Sequence, residues 1–262
     1  ANSNTAIGKD ALTANTTGTR NVGVGASALK TITTASYNTG VGNDVLGANT
    51  TGASNTAVGD QALGANTTAS NNVAVGQAAL TANTTGAQNV AIGALALDAN
   101  TTTHDSVAIG YAALTTATIG SNTAVGSEAM QYTTTGANNV GVGLQALRAN
   151  TTGASNTAAG GYALLANTTG ASNVAFGFQA LATNTTADNN VAIGKDALLY
   201  NTTGANNVAV GALTLDANTT GARNTAVGQQ SMGANTTGDY NTALGRDSLH
   251  KNTTADNNVA IG

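Results

Sequence analysis

The chain contains no cysteine, no proline and no tryptophan. Without cysteine there is no disulfide, no thiolate metal site and no thiol nucleophile. Without proline, every backbone N–H stays available to a hydrogen-bonded ladder. Charge is scarce as well, at 8% of residues and a net -4, and there is no basic run. So weak a field does not hold nucleic acid or an anionic membrane surface. No apolar stretch approaches the roughly 20 residues of a membrane span. The two histidines, His104 and His250, lie many repeats apart, and Asp and Glu are scattered singly. The phosphate-loop Gly-Lys-Ser/Thr and the Gly-Gly-x-Gly-x-Asp calcium repeat are both missing. A nucleophile, a base and an acid are nowhere brought together. The expectation is a protein without catalysis, cofactor or metal.

What the 262 residues do contain is one unit repeated sixteen times. Its anchoring glycine stands at 8, 25, 42, 59, 76, 93, 110, 126, 143, 160, 177, 194, 211, 228, 245 and 262. Every interval is 17 residues except one of 16, between Gly110 and Gly126. A fixed period this short marks a solenoid, in which each unit touches only its neighbours. The sequence therefore predicts one continuous repeat domain over 1-262. The fold class is all-β, a parallel β-solenoid or β-roll of about fifteen 17-residue coils. The chain begins inside a repeat and stops on a repeat glycine, so it reads as a window of a longer fibrous chain.

Positions are counted from the anchoring glycine. Position −4 is Asn in every coil except at Ser106. It predicts a structural Asn ladder of Asn4, Asn21, Asn38, Asn55, Asn72, Asn89, Asn122, Asn139, Asn156, Asn173, Asn190, Asn207, Asn224, Asn241 and Asn258. Positions −3 to −1 alternate with β-branched residues on one face, which reads as a strand. Position −2 is Ala or Gly throughout: Ala6, Gly23, Gly40, Ala57, Ala74, Ala91, Ala108, Ala124, Gly141, Ala158, Ala175, Ala192, Ala209, Ala226, Ala243 and Ala260. With its larger neighbours turned inward, this small column points out. An outward face kept so small and uncharged reads as a packing face for other copies, as apolar outward stripes mark interfaces.

Position +4 predicts a core ladder of Leu12, Leu29, Leu46, Leu63, Leu80, Leu97, Leu114, Met130, Leu147, Leu164, Leu181, Leu198, Leu215, Met232 and Leu249. The local Ala-Leu-x-Ala is too short for a stable helix, so a second strand or a bend is expected there. Asn-Thr-Thr-Gly-Ala follows as turn chemistry, with its Asn expected to stack as a ladder at the corner. The one short repeat loses its residue in that run, which reads as a loose corner. The run also matches the N-glycosylation sequon in most coils. Charges avoid the strand and the Leu position, and Asp188 falls at the corner. The six tyrosines form no stripe. Ala159 and Phe176 occupy position −1 of consecutive coils, where Val or Ile is usual. Their register predicts one core column, with the Phe176 ring filling the space above Ala159.

At the Asn-(Val/Thr)-Ala-(Val/Ile)-Gly unit the chain resembles the heads of trimeric autotransporter adhesins of the YadA type. It is also similar to the Asn-Thr-Ala-Val-Gly…Ala-Leu…Asn-Thr-Thr-Gly repeats of phage tail fibres, and the resemblance covers all sixteen units. It implies a left-handed parallel β-roll, three copies of which associate side by side. It further implies an extracellular adhesive structure on a cell surface or a virion fibre, without enzyme activity. The implied partner is the chain itself, as homotrimer or filament, with a host surface or glycan bound through regions outside this window. No nucleic acid and no membrane contact are expected. Adhesin-head coils are shorter, and no host-binding residue carries over. An ice-binding solenoid is the alternative, because Asn-Thr-Thr supplies threonines in every coil.

Overall fold

The computed structural model describes residues 3–262; Ala1 and Asn2, where the first repeat is entered, lie outside them. The chain divides into two compact units, Ala1–Ser127 and Glu128–Gly262, built from the same coil. In the first unit the strands are β1 (Thr5–Ile7), β2 (Val22–Val24), β3 (Thr39–Val41), β4 (Thr56–Val58), β5 (Val73–Val75), β6 (Val90–Ile92), β7 (Val107–Ile109) and β8 (Thr123–Val125). The second unit holds β9 (Val140–Val142), β10 (Thr157–Ala159), β11 (Val174–Phe176), β12 (Val191–Ile193), β13 (Val208–Val210), β14 (Thr225–Val227), β15 (Thr242–Leu244) and β16 (Val259–Ile261). Within each unit every strand pairs in parallel with the next. Thr56 opposes Val73 in the first and Ala158 opposes Ala175 in the second. The shift is one repeat, and it shortens by a residue where Val107 opposes Thr123. Both units are thus parallel β-solenoids, and no helix occurs among the described residues.

Each strand is three residues long because the anchoring glycine turns the chain at once. Gly177 has φ 131°, and a Cβ built on it would lie 2.5 Å from the Gly194 carbonyl oxygen of the next coil. Only glycine permits both that backbone and that approach. The following segment is neither the strand nor the helix that its residues could have formed. Positions +2 and +4 lie in the left-handed region with ordinary side chains, as at Asp44 and Leu46, both with φ 50°. Alternating handedness sends successive N–H groups to opposite neighbours. Asp44 N–H donates back to the Ala26 carbonyl at 2.9 Å, and Leu46 N–H donates onward to the Ala62 carbonyl at 3.1 Å. A left-handed Leu costs about 1–2 kcal/mol. The inter-coil bonds and complete burial of Leu46 hold it there.

The core is thin. The Leu/Met column lies inside, fully buried from Leu29 to Leu215 and at Met232. Facing it is the Ala/Gly column of position −2, which corrects the outward placement given to Ala6 through Ala260. From Gly23 to Ala243 that column is buried, and Ala57, Ala74, Ala158 and Ala175 have no exposed surface. A Cβ on Gly23 would lie 3.4 Å from Leu12 Cγ, and one on Gly141 only 2.9 Å from Met130 Cγ. Leu fills the gap between the two walls of the coil, so nothing beyond a methyl fits opposite it. Alternation then turns positions −3 and −1 outward. Ala159 and Phe176 are register partners, as the repeat predicts. Yet the Phe176 ring is 45% exposed, so the column they share lies outside rather than in the core.

Candidate functional site

Two Asn ladders clamp the strand from behind. At position −4 the side-chain oxygen accepts the backbone N–H of the next coil's Asn, and the amide donates across the coil. Asn55 N–H reaches Asn38 Oδ1 at 3.0 Å, while Asn55 Nδ2 donates to the Ala69 carbonyl at 2.9 Å. Ser106, the one interruption, still donates its N–H to Asn89 Oδ1 at 3.0 Å, but its own hydroxyl is buried without a partner. The second ladder runs through the Asn of Asn-Thr-Thr at position +7. Asn66 Nδ2 donates to Asn49 Oδ1 and to the Ala69 carbonyl, at 3.0 and 3.1 Å. The sequence predicts Asn turns and ladders at this corner, and the Asn side chains of successive coils do pair there.

Where that ladder runs the corner is built and not loose; Ile32, Ala117 and Thr133 interrupt it, and Ala117 lies in the short repeat. From Asn49 to Asn235 the sequon asparagines are fully buried, and each Nδ2 has an acceptor. The folded coil offers no free amide for glycan transfer at those positions. The threonine after the Asn closes on its neighbour in most coils: Thr151 Oγ1 donates to the Thr168 carbonyl at 3.0 Å. Asp188 is engaged too, because its Oδ1 accepts the Ala171 N–H at 2.7 Å. The next threonine, as at Thr51, Thr85 and Thr203, points to solvent.

In front of these ladders lies the outward strand face. Its position −1 is Val or Ile in nearly every coil and stays partly exposed, at 37% for Val58 and 41% for Ile193. Position −3, Val or Thr, stands beside it. This face replaces the Ala/Gly column as the surface on which another molecule can pack.

Charged groups keep to the edges. Arg148 Nε lies 3.0 Å from Glu128 Oε2, and Lys30 Nζ lies 2.5 Å from Asp44 Oδ1. Lys195–Asp196 and Arg246–Asp247 pair at 3.6 and 3.2 Å. An exposed pair such as Arg246–Asp247 contributes little, whereas Asp196 is buried and its Oδ1 has no hydrogen-bond partner. The Arg20 and Arg223 guanidinium groups lie over the rings of Tyr37 and Tyr240, one repeat on in the same column. Burial pushes the Asp98 and Asp216 carboxyls above the ordinary carboxylate value; nearby backbone hydrogen bonds oppose it. At Asp216, His250 lowers the value and Asp196 raises it. His104 Nδ1 accepts the Ala87 N–H at 3.0 Å. Among the described residues no three His, Asp or Glu side chains are placed to hold a metal ion. No helix among them is long and apolar enough to cross a membrane.

Comparison with protein-family models gives no match, and comparison with curated proteins gives none.

Proposed function

We propose that this chain is a non-enzymatic segment of an extracellular fibre, the rigid shaft or head of a trimeric surface adhesin or tail fibre. The solenoid is left-handed, and three copies associate side by side through their outward strand faces. The observation that carries this reading is an uncharged, β-branched face repeated in every coil and left partly exposed. Two partly exposed side chains per coil, at about 50 Å² each, give roughly 800 Å² over eight coils, the area per partner of a stable interface. Light scattering on the purified chain tests it. The expected mass is near 76 kDa, three times the 25.3 kDa of one chain. A monomer at micromolar concentration overturns it.

An ice-binding solenoid is the second reading, favoured by the exposed threonine column that includes Thr51, Thr85 and Thr203. The corner beneath it is held by the second Asn ladder, which supplies the rigidity such a surface needs. Thermal hysteresis at micromolar protein supports this reading, and its absence removes it.

A further inference from the structure

The chain's only two phenylalanines stand in one coil, on either side of Gly177. Phe176 and Phe178 are 45% and 47% exposed, so this coil forms a ridge on the outward face. The coil before it carries Ala159 and Gly161 at the same positions, and the one before that carries Val142 and Leu144. In-register pairing of Ala159 with Val142 on one side and Phe176 on the other makes a groove one coil wide. Half of it is filled from within the chain. The Phe178 ring overhangs Gly161, whose built Cβ would meet Phe178 Cδ2 at 3.6 Å, and Tyr162 braces that ring edge-on at 5.7 Å. The other half remains a knob, Phe176, beside a hole, Ala159.

At positions −3 and −1 the outward face elsewhere carries only Thr, Val, Ile or Leu and changes little from coil to coil. Copies packed through such a face gain nearly the same contacts after sliding by one coil, about 4.8 Å. Repetitive surfaces specify register weakly, and a single distinctive residue is enough to set it in a coiled coil. We propose that Phe176 and Ala159 are the register key between copies of this chain, the ring of one copy seating over Ala159 of its neighbour. A slip of one coil brings that ring against the neighbour's Val142 or Phe176 instead. The proposal rests on the side-by-side assembly proposed above. Its occupant is a second copy because knob and hole are complementary, adjacent and on the face whose area suits self-association.

The chain has no cysteine, so single labels are easily placed. A nitroxide at Thr169→Cys in one preparation and a gadolinium tag at Thr254→Cys in another lie five coils apart along the stack. Mixing the two and measuring the distance between copies by pulsed dipolar spectroscopy reads the register. The wild type should give one narrow distance. Phe176→Val and Ala159→Val should each keep the associated mass but add distances displaced by several ångströms. The exchanged double variant, Ala159→Phe with Phe176→Ala, should restore a single distance. An unchanged narrow distribution in both single variants overturns the key while leaving the assembly standing. A monomeric wild type overturns the assembly and the key with it.

Discussion

Asn167→Asp changes one buried atom type in the second Asn ladder and nothing in shape. Asn167 Nδ2 donates to Asn150 Oδ1 at 2.8 Å and to the Gly170 carbonyl at 2.9 Å. Its Oδ1 accepts from Asn184 Nδ2 at 2.8 Å. A carboxylate keeps the last bond and turns the first two into contacts between acceptors. The Gly170 carbonyl retains the Asn156 amide, at 2.8 Å, so Asn150 Oδ1 is the one orphan. Two lost bonds at about 1 kcal/mol each and one unsatisfied acceptor at about 1–3 kcal/mol already reach roughly 3–5 kcal/mol. The buried charge adds to that. Thr169→Asp, two residues on and exposed, should fall within about 0.5 kcal/mol of wild type.

The pH dependence separates charge from shape. In the fold only the protonated acid can donate, so its folded value is raised above the unfolded value of about 3.9. Protons are then bound by the folded state and not by the unfolded one across the window between the two values. Stability falls as pH rises through that window and is level above it. Below it the variant should recover most of its loss, since one donor returns. Urea unfolding at pH 3.5 and pH 7, with hydrogen exchange at the Thr168 amide as a local probe, measures both effects. Equal losses at the two pH values, or none at pH 7, would refute the donor role of the ladder amides.

Three further outcomes follow from the geometry. Ala175→Arg should unfold the coils around it, visible as lost circular dichroism, because Ala175 is fully buried; Ile193→Arg, on the outward face, should keep the fold and abolish association in light scattering. Asp216→Asn should match wild type below about pH 4 and be more stable above it, because the raised value of the buried carboxyl makes the wild type lose stability as pH rises from the unfolded value to the folded one. Gly177→Ala should cost more than about 1 kcal/mol in denaturant unfolding, whereas Gly161→Ala, with only Phe178 ring carbons at 3.6 and 3.8 Å, should be close to neutral.

The period of the glycines fixed the coil, its register and the column that each residue joins; Ala159 does oppose Phe176. What the period does not contain is the sign of a face. Alternation says that Thr157 and Ala159 share one side and Ala158 takes the other, and size alone suggested that the larger pair lies inside. The width of the coil decides it the other way. Leu164 from the opposite wall takes the interior, and Ala158 is what remains compatible with it. The left-handed Leu column was equally hidden, because sequence signals for positive φ are glycine and asparagine. The Arg20–Tyr37 stack was within reach: two residues one period apart share a column whatever its direction.

Two neighbouring positions differ in the side chains they accept, and the difference supports the proposed packing of the outward face. Position +1 is separated from position −1 by the anchoring glycine alone, and both are exposed at the Gly177 coil. Position +1 accepts Lys9, Asp60, Lys195 and Arg246. Position −1 accepts no charged and no polar side chain in any of the sixteen coils. A strand edge facing water gains nothing from that restriction, since exposed substitutions are nearly neutral. Nor does the interior require it, because the side chains of position −1 do not enter the core. The interior itself is modest, in most coils one Leu or Met with small Ala side chains, joined by Ile32 and Val45 in two coils and closed by Asn hydrogen bonds. The larger β-branched side chains sit outside, one coil above another. In the proposed assembly a second face like this one is set against them.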